Sequence, residues 1–388
     1  MSSLRFRIIG RDNKSAAKVG EITTSHGVIR TPAYVPVATA ASIKSLTPDE
    51  VRSCNIDIFF VNTYHMLFRP GIKIVKKLGG LHQFMKWDGP IMTDSAGFQA
   101  FSLGDFKARK NITPPEKLVQ IKNEGIYFKS AWDGSAKFLG PRESIAAQQD
   151  LDSDIMMSFD ECTFYPVTYK RASQAMDRTH TWAAEGLKQH QKRKGNALYG
   201  IIQGSVFKDL RLKSAKYISQ LPFEGFAIGS VANSREPREK VFAVLDWTMD
   251  ILLEHNKPVH FLGIGEVEDI FISVEKGIDS FDCVIPTRLA RMGWIFSKAV
   301  GVKNKFRYDI TKSTFSQDRK PPESNCKCFT CKNFRCGYLN HLFRSRELLA
   351  YRLATIHNLS FFGNLMDKIR SAIIEKRYNK LKNEWLEC

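Results

Sequence analysis

Long apolar runs are missing from this 388-residue chain. None approaches the ~18 residues that span a membrane. The opening Met1-Ser2-Ser3-Leu4-Arg5 carries no signal-peptide core. A soluble, cytoplasmic protein with no membrane partner is therefore expected. A disulfide framework is missing too. Four of the eight cysteines crowd into Cys326–Cys336, while Cys54, Cys162, Cys283 and Cys388 are scattered. In a reducing compartment that clustering favours a metal site. No internal repeat or low-complexity tract occurs, and no G-x-G-x-x-G follows the first apolar segment. Acidic residues are in short supply: 40 Asp and Glu face 58 Lys and Arg, a net charge of +18. A surplus of this size calls for an anionic partner rather than a merely solvated surface. Ser297 to Cys388 holds 19 Lys and Arg against 8 Asp and Glu, so the last quarter alone carries +11. Charge gathered at one end suits a nucleic-acid surface.

What the chain does have is a series of short apolar segments. They are Ala33–Ala38, Ile56–Asn62, Pro90–Asp94, Asp154–Asp160, Ala197–Gln203, Phe226–Gly229, Val259–Gly263 and Ser280–Pro286. Continuous apolarity marks strands buried on both faces, as in parallel sheets. Helical patterns fill several intervals, among them Glu143–Leu151, Lys170–His190 and Arg238–His255. Eight buried strands alternating with helices over ~250 residues predict a (β/α)8 TIM barrel. The rival is an open doubly wound sheet, disfavoured by the absent glycine fingerprint. Asn62, Asp94, Asp160, Gln203 and Asp282 stand at the ends of these segments. Barrel enzymes build their sites there. One such Asp is explained as a helix cap, but three carboxylates in equivalent places point to chemistry. Lys312–Asn325 reads as a linker or loop. Helices are expected over Tyr338–His357 and Leu365–Trp385. The domain reading is a catalytic barrel over residues 1–311, with a zinc-binding and RNA-contacting subdomain over 312–388 integrated with it.

Cys326, Cys328 and Cys331 form C-x-C-x-x-C, and His357 follows 26 residues later. Three closely spaced thiolates and one helical imidazole match structural Cys3His zinc. Such a site has no open position, so one zinc per chain would fold the subdomain rather than catalyse. Cys336 and His341 are the alternative ligands.

Two segments then bring a family into view. Thr93-Asp94-Ser95-Ala96-Gly97-Phe98-Gln99 and Phe281-Asp282-Cys283-Val284-Ile285-Pro286-Thr287-Arg288 resemble the D-S-G-G-[FY]-Q and F-D-C-V-x-P-T-R motifs of tRNA-guanine transglycosylases, also called queuine tRNA-ribosyltransferases. His26-Gly27-Val28, Thr31-Pro32-Ala33, Asn62-Thr63-Tyr64-His65, Gly79-Gly80-Leu81-His82, Phe159-Asp160-Glu161-Cys162-Thr163, Gly200-Ile201-Ile202-Gln203-Gly204 and the cysteine cluster are similar to that family as well. The resemblance, to the bacterial type, runs from about residue 5 to residue 385.

The resemblance implies exchange of the wobble guanine in tRNAs with a G-U-N anticodon for a 7-deazaguanine base. It implies Asp282 as nucleophile, Asp94 as general acid and base, and a covalent ribosyl-aspartate intermediate. Asp160 and Gln203 would bind the edge of the base, Phe98 and Leu262 its two faces, and Ser230 and Val231 would offer backbone groups. Arg288 and Arg291 match positions that contact anticodon bases; plain phosphate clamping is the blander role. A homodimer is also implied. The chemistry is coherent with retaining glycosyl transfer, in which one carboxylate attacks and another manages protons.

Ala96 and Ser230 replace glycines of the family pattern. A methyl at Ala96 is tolerated if φ is negative and costs energy if it is not. In the loop Ser230–Arg235, Arg235 stands where bacterial enzymes use a Glu, with Glu236 beside it. That favours queuine over the aminomethyl precursor as incoming base. Leu289-Ala290, between the two arginines, also departs from the commoner small pair. A catalytically silent partner subunit is opposed by the retained Asp94 and Asp282, and an archaeal-type enzyme would need further C-terminal domains. A zinc-stabilised RNA-binding scaffold would leave the strand-end carboxylates without purpose.

Overall fold

A computed structural model describes residues 4–98, 119–129, 134–191, 195–229 and 236–387. Arg5–Arg11 (β1), Lys18–Thr24 (β2) and Gly27–Thr31 (β3) form an antiparallel sheet. Ala33–Pro36 (β4), Phe59–Val61 (β5) and Ile91–Thr93 (β6) follow as parallel strands. A second antiparallel sheet, Val119–Lys122 (β7), Gly125–Lys129 (β8) and Ala136–Leu139 (β9), is inserted next. Parallel strands then resume with Ile155–Met157 (β10), Ala197–Ile202 (β11), Gly225–Ile228 (β12), Val259–Phe261 (β13) and Ser280–Cys283 (β14). The order β4-β14-β13-β12-β11-β10-β6-β5 makes one eight-stranded parallel sheet. A parallel bridge between Val37 and Phe60, with the Ala38 amide donating to the Phe60 carbonyl at 2.7 Å, brings its ends together. This is the (β/α)8 barrel, and each of the eight apolar segments supplies one strand.

Both faces of the strands are buried, which is why they read as unbroken apolar runs. Val35, Phe60, Met92, Met157, Ile201 and Ala227 fill the barrel interior in one cluster. The alternate residues, such as Tyr34, Phe59, Ile91, Met156, Leu198 and Phe261, face the surrounding helices in another. The antiparallel sheet β1–β3 was not among the expected strands, because no unbroken apolar run marks it; Arg5–Arg11 alternates between exposed and half-buried residues. Its inward residues Leu4, Ile22 and Ile29 join the interior cluster and plug the end of the barrel where the strands begin.

The plug is clamped. Asp154, just before β10, accepts from Ser25 Oγ (3.0 Å) and His26 Nδ1 (2.8 Å) on one oxygen. Its other oxygen accepts from His82 Nε2 (3.1 Å) and the Ile91 amide (2.9 Å). Burial alone would raise the Asp154 pKa, but the bonds from His82, His26 and Ile91 outweigh it and bring it down to about 2. The two imidazoles stack with centroids 3.5 Å apart and planes at 16°. An ion lying in both ring planes is incompatible with that stacking, so this trio is a hydrogen-bonded clamp.

The C-terminal helices differ from expectation. Cys336–Arg344 is one helix, and Leu348–Ile374 is a single helix of 27 residues that crosses both expected segments. The break falls at Ser345–Glu347, where Arg346 takes a positive φ of 58°. Gly363 lies inside the long helix because a Cβ there would overlap the Cys54 carbonyl. That close approach seats the helix against the barrel. It packs on β4 and on the helix Ile285–Ala290, and Ile356, Leu359, Phe362 and Leu365 share the outer core of the barrel. The hairpin Trp294–Phe296 (β15) and Arg307–Asp309 (β16) joins β14 to this region. Among the described residues, no helix is long and apolar enough to cross a membrane.

Candidate active site and metal centre

Strand direction puts the polar segment ends together at one mouth of the barrel. Asn62 follows β5, Asp94 follows β6, Asp160 lies beyond β10 and Gln203 follows β11. Asp282 lies near the end of β14. The carboxylates are wired differently.

Asp94 is buried. Its Oδ2 accepts from Asn62 Nδ2 at 2.6 Å, and its Oδ1 from the Thr63 amide at 2.7 Å and the Ala96 amide at 3.2 Å. The Thr63 hydroxyl donates to the Asp94 carbonyl at 2.6 Å. Ala96 has φ 67°. The methyl therefore sits in the left-handed region, at a cost of ~1–2 kcal/mol against glycine. Packing with Tyr64, Phe159 and Trp182 offsets part of it.

Asp160 accepts from Ser95 Oγ (2.9 Å) and Gln203 Nε2 (2.6 Å). Burial, with Asp94 and Glu161 nearby, pushes its pKa up to about 6 against the pull of those two donors. A carboxyl whose folded pKa lies above its unfolded value favours the protonated fold. The cost of ionising it is absent below pH ~4 and fully present above ~6. Asp160→Asn, with the Gln203 amide turned to offer its oxygen, is expected to raise stability at pH 8 by about 1–3 kcal/mol. No gain is expected at pH 4. Denaturant melts at the two pH values check this, and equal effects at both would contradict it.

Asp282 keeps 13% of its side-chain surface exposed. Its Oδ1 receives His260 Nε2 at 3.1 Å and the Gly263 amide at 3.0 Å. The adjacent Cys283 thiol is buried and raised to about 12, so it stays neutral beside the carboxylate.

Phe98 is 41% exposed, with the ring of Phe164 edge-on at 6.5 Å. Leu262 is partly buried against the barrel interior. Arg288 is exposed on the helix Ile285–Ala290, and Arg291 donates to the Thr287 carbonyl at 2.6 Å. Burial and the neighbouring Arg288 lower the Arg291 pKa. Ser230, Val231 and Arg235 lie outside the described residues.

Several contributors were not singled out from the sequence. Thr63 orients Asp94 at the end of β6, and Ser95 orients Asp160 beyond β10. Arg211, fully buried, donates to the carbonyls of Ile202 (2.8 Å), Ser205 (2.7 Å) and Gly229 (2.7 Å), tying the ends of β11 and β12 together. Both carboxylate oxygens of Glu236 are shielded from solvent, within electrostatic reach of Arg211. His260 did carry a signal: it is a polar residue inside an apolar strand segment.

The cysteine cluster assembles as a second centre. Cys326, Cys328, Cys331 and His357 bring their ligand atoms within 4.8 Å of one another. Cys331 opens no gap in the cluster: its sulfur is 3.2 Å from His357 Nδ1, and Cys328 Sγ is 3.7 Å from the same nitrogen. His357 Nε2 faces the Phe296 carbonyl at 2.7 Å, which fixes the proton on Nε2 and leaves Nδ1 to face the sulfurs. Three thiols and one correctly oriented imidazole fit a tetrahedral metal ion. Cys336 is instead beside Tyr308, whose hydroxyl lies 3.8 Å from its sulfur, and His341 stacks near Tyr338.

Comparison with known proteins agrees with this architecture. The family model described as queuine tRNA-ribosyltransferase matches residues 12–388. The queuine tRNA-ribosyltransferase of Caldanaerobacter subterraneus subsp. tengcongensis is 41% identical over 387 residues, covering 100% of this chain and 98% of the relative. That of Listeria innocua is 40% identical over 387 residues, covering 100% and 97%. That of Halothermothrix orenii is 41% identical over 384 residues, covering 99% and 97%. With its eight-stranded barrel, its strand-end carboxylates and its Cys3His centre, the chain belongs to the queuine tRNA-ribosyltransferase family.

Proposed function

We propose that this protein is a tRNA-guanine transglycosylase that replaces the wobble guanine of G-U-N tRNAs by a 7-deazaguanine base. The observation that supports it most is the Asp160–Gln203 pair set beside two separately oriented carboxylates, Asp94 and Asp282, at the barrel mouth. The pair offers donors and acceptors to the edge of a purine-like base, and exposed Phe98 offers a face. Asp282 attacks the ribose anomeric carbon, and the bond to guanine breaks with its electron pair leaving on the guanine. Asp94 supplies the proton that the departing guanine takes up. The incoming base gives a proton back to Asp94 and attacks the same carbon, releasing Asp282. Two displacements retain the configuration at the ribose.

Cys326, Cys328, Cys331 and His357 would hold one structural zinc ion, which fixes the C-terminal region and takes no part in the chemistry. Exposed Arg288 and the basic C-terminal quarter suit the anticodon loop. The family reading includes a homodimer. Exposed Phe329 and Tyr338, flanking Phe334, give such a contact an apolar surface. A cytoplasmic location fits a tRNA substrate.

Queuine is the favoured incoming base, because Arg235 replaces the Glu expected in the Ser230–Arg235 loop. The test is incorporation of radiolabelled guanine into a G-U-N tRNA, with unlabelled queuine and its aminomethyl precursor as separate competitors. Exchange blocked mainly by queuine is the expected result. Exchange blocked mainly by the precursor would reverse the substrate preference. Binding without exchange would favour a silent partner subunit.

A further inference from the structure

We infer that His260 is a positioning residue for the nucleophile, selecting Oδ2 of Asp282 as the attacking oxygen; this rests on the reading of Asp282 given above. His260 and Ser280 are register partners on β13 and β14, and Asp282 lies two residues beyond Ser280 on the same face of its strand. The imidazole is fully buried, and the ring of Phe60 stacks over it with centroids 6.0 Å apart. His260 Nδ1 lies 2.8 Å from Ser280 Oγ and Nε2 lies 3.1 Å from Asp282 Oδ1.

An ionised carboxylate only accepts hydrogen bonds. Nε2 must therefore carry the proton, and in the neutral ring Nδ1 accepts from the Ser280 hydroxyl. The Gly263 amide is a second donor to the same Oδ1 at 3.0 Å. Both donors thus converge on one oxygen, and among the described residues Oδ2 accepts none. Oδ2 forms the bond to the ribose carbon as the bond to guanine breaks. Oδ1 then becomes the carbonyl oxygen of the ester and keeps both donors. When the incoming base attacks, the electron pair of the ribose–oxygen bond returns to the carboxylate. The donors on Oδ1 are already in place to stabilise the returning charge.

Single-turnover and steady-state exchange with full-length His260→Asn, His260→Gln and Asp282→Asn proteins tests the assignment. The Asn side chain is long enough for Ser280 only, whereas Gln places an amide donor near Asp282. His260→Asn is expected to lower kcat by about a hundredfold, with KM for tRNA unchanged. His260→Gln is expected to recover most of that loss. Equal losses in both variants, or a change confined to KM, would overturn the role of His260. Should the Asn variant not fold, Ser280→Ala replaces it: lower kcat at unchanged KM is expected, and unchanged kcat overturns the proposal. The Asp282→Asn arm separates the two layers. A covalent RNA adduct persisting there would remove Asp282 as nucleophile. No adduct there, with full activity in His260→Asn, would remove only the positioning role.

Discussion

Replacing Asp282 by Asn is expected to reduce base exchange by about 10⁴-fold or more and to eliminate the covalent RNA adduct on a denaturing gel. The substitution changes little else. Asn has nearly the same shape, and its oxygen can still accept from His260 and the Gly263 amide, which now bind Oδ1. The position is also partly exposed, at 13% of its side-chain surface, so neither a cavity nor a buried unpaired group results. What is lost is the negative charge and the lone pair that attacks. Melting temperature and tRNA affinity should remain near the parent values while turnover vanishes. An adduct of undiminished yield in this variant would mean that another side chain attacks. Cys283 is poorly suited to that role, because burial pushes its thiol up to about 12.

The second large effect is expected from the metal centre. Cys331→Ala, or exhaustive chelation, should lower the melting temperature by about 10 °C or more and abolish tRNA binding together with exchange. Structural zinc sites contribute on the order of 10 kcal/mol to the domains they fold. The consequence here reaches beyond the cysteine loop, because one helix carries two duties. Leu348–Ile374 presents His357 to the sulfurs and also packs its apolar face on β4 and the outer core of the barrel. Thr330, next to Cys331, bonds the Leu353 carbonyl at 2.7 Å, and Asn358 bonds the backbone at Pro286, Trp294 and Phe296. Loss of a metal ion from this cluster would loosen that helix and, with it, the segment that carries Arg288. Elemental analysis should give one zinc per chain. A fully depleted protein with an unchanged melt and unchanged tRNA binding would refute a structural metal.

Much of this molecule could be read before any fold was known. The eight barrel strands were legible because burial on both faces leaves no polar alternation, a pattern that few other elements produce. The Cys3His cluster was legible because three of its four members are local in sequence. The sheet β1–β3 was not, since a plug packed on one face only reads as an ordinary alternating surface segment. The long helix Leu348–Ile374 was divided in the wrong place. Nothing local announces that Gly363 is needed for contact with Cys54, nor that the chain turns at Arg346.

By itself the sequence determined the number of barrel strands, the residue types at their ends, the thiol spacing and the resemblance to a family, because each is a local or periodic property. The tertiary structure alone decided which oxygen of Asp282 is held, that Asp160 keeps its proton to about pH 6, and that Ala96 sits at positive φ. It also joined His260, Ser280 and Asp282 across two strands. These depend on distances between side chains far apart in the chain, on the direction of each hydrogen bond and on exclusion of water. Such quantities exist only once the barrel has closed.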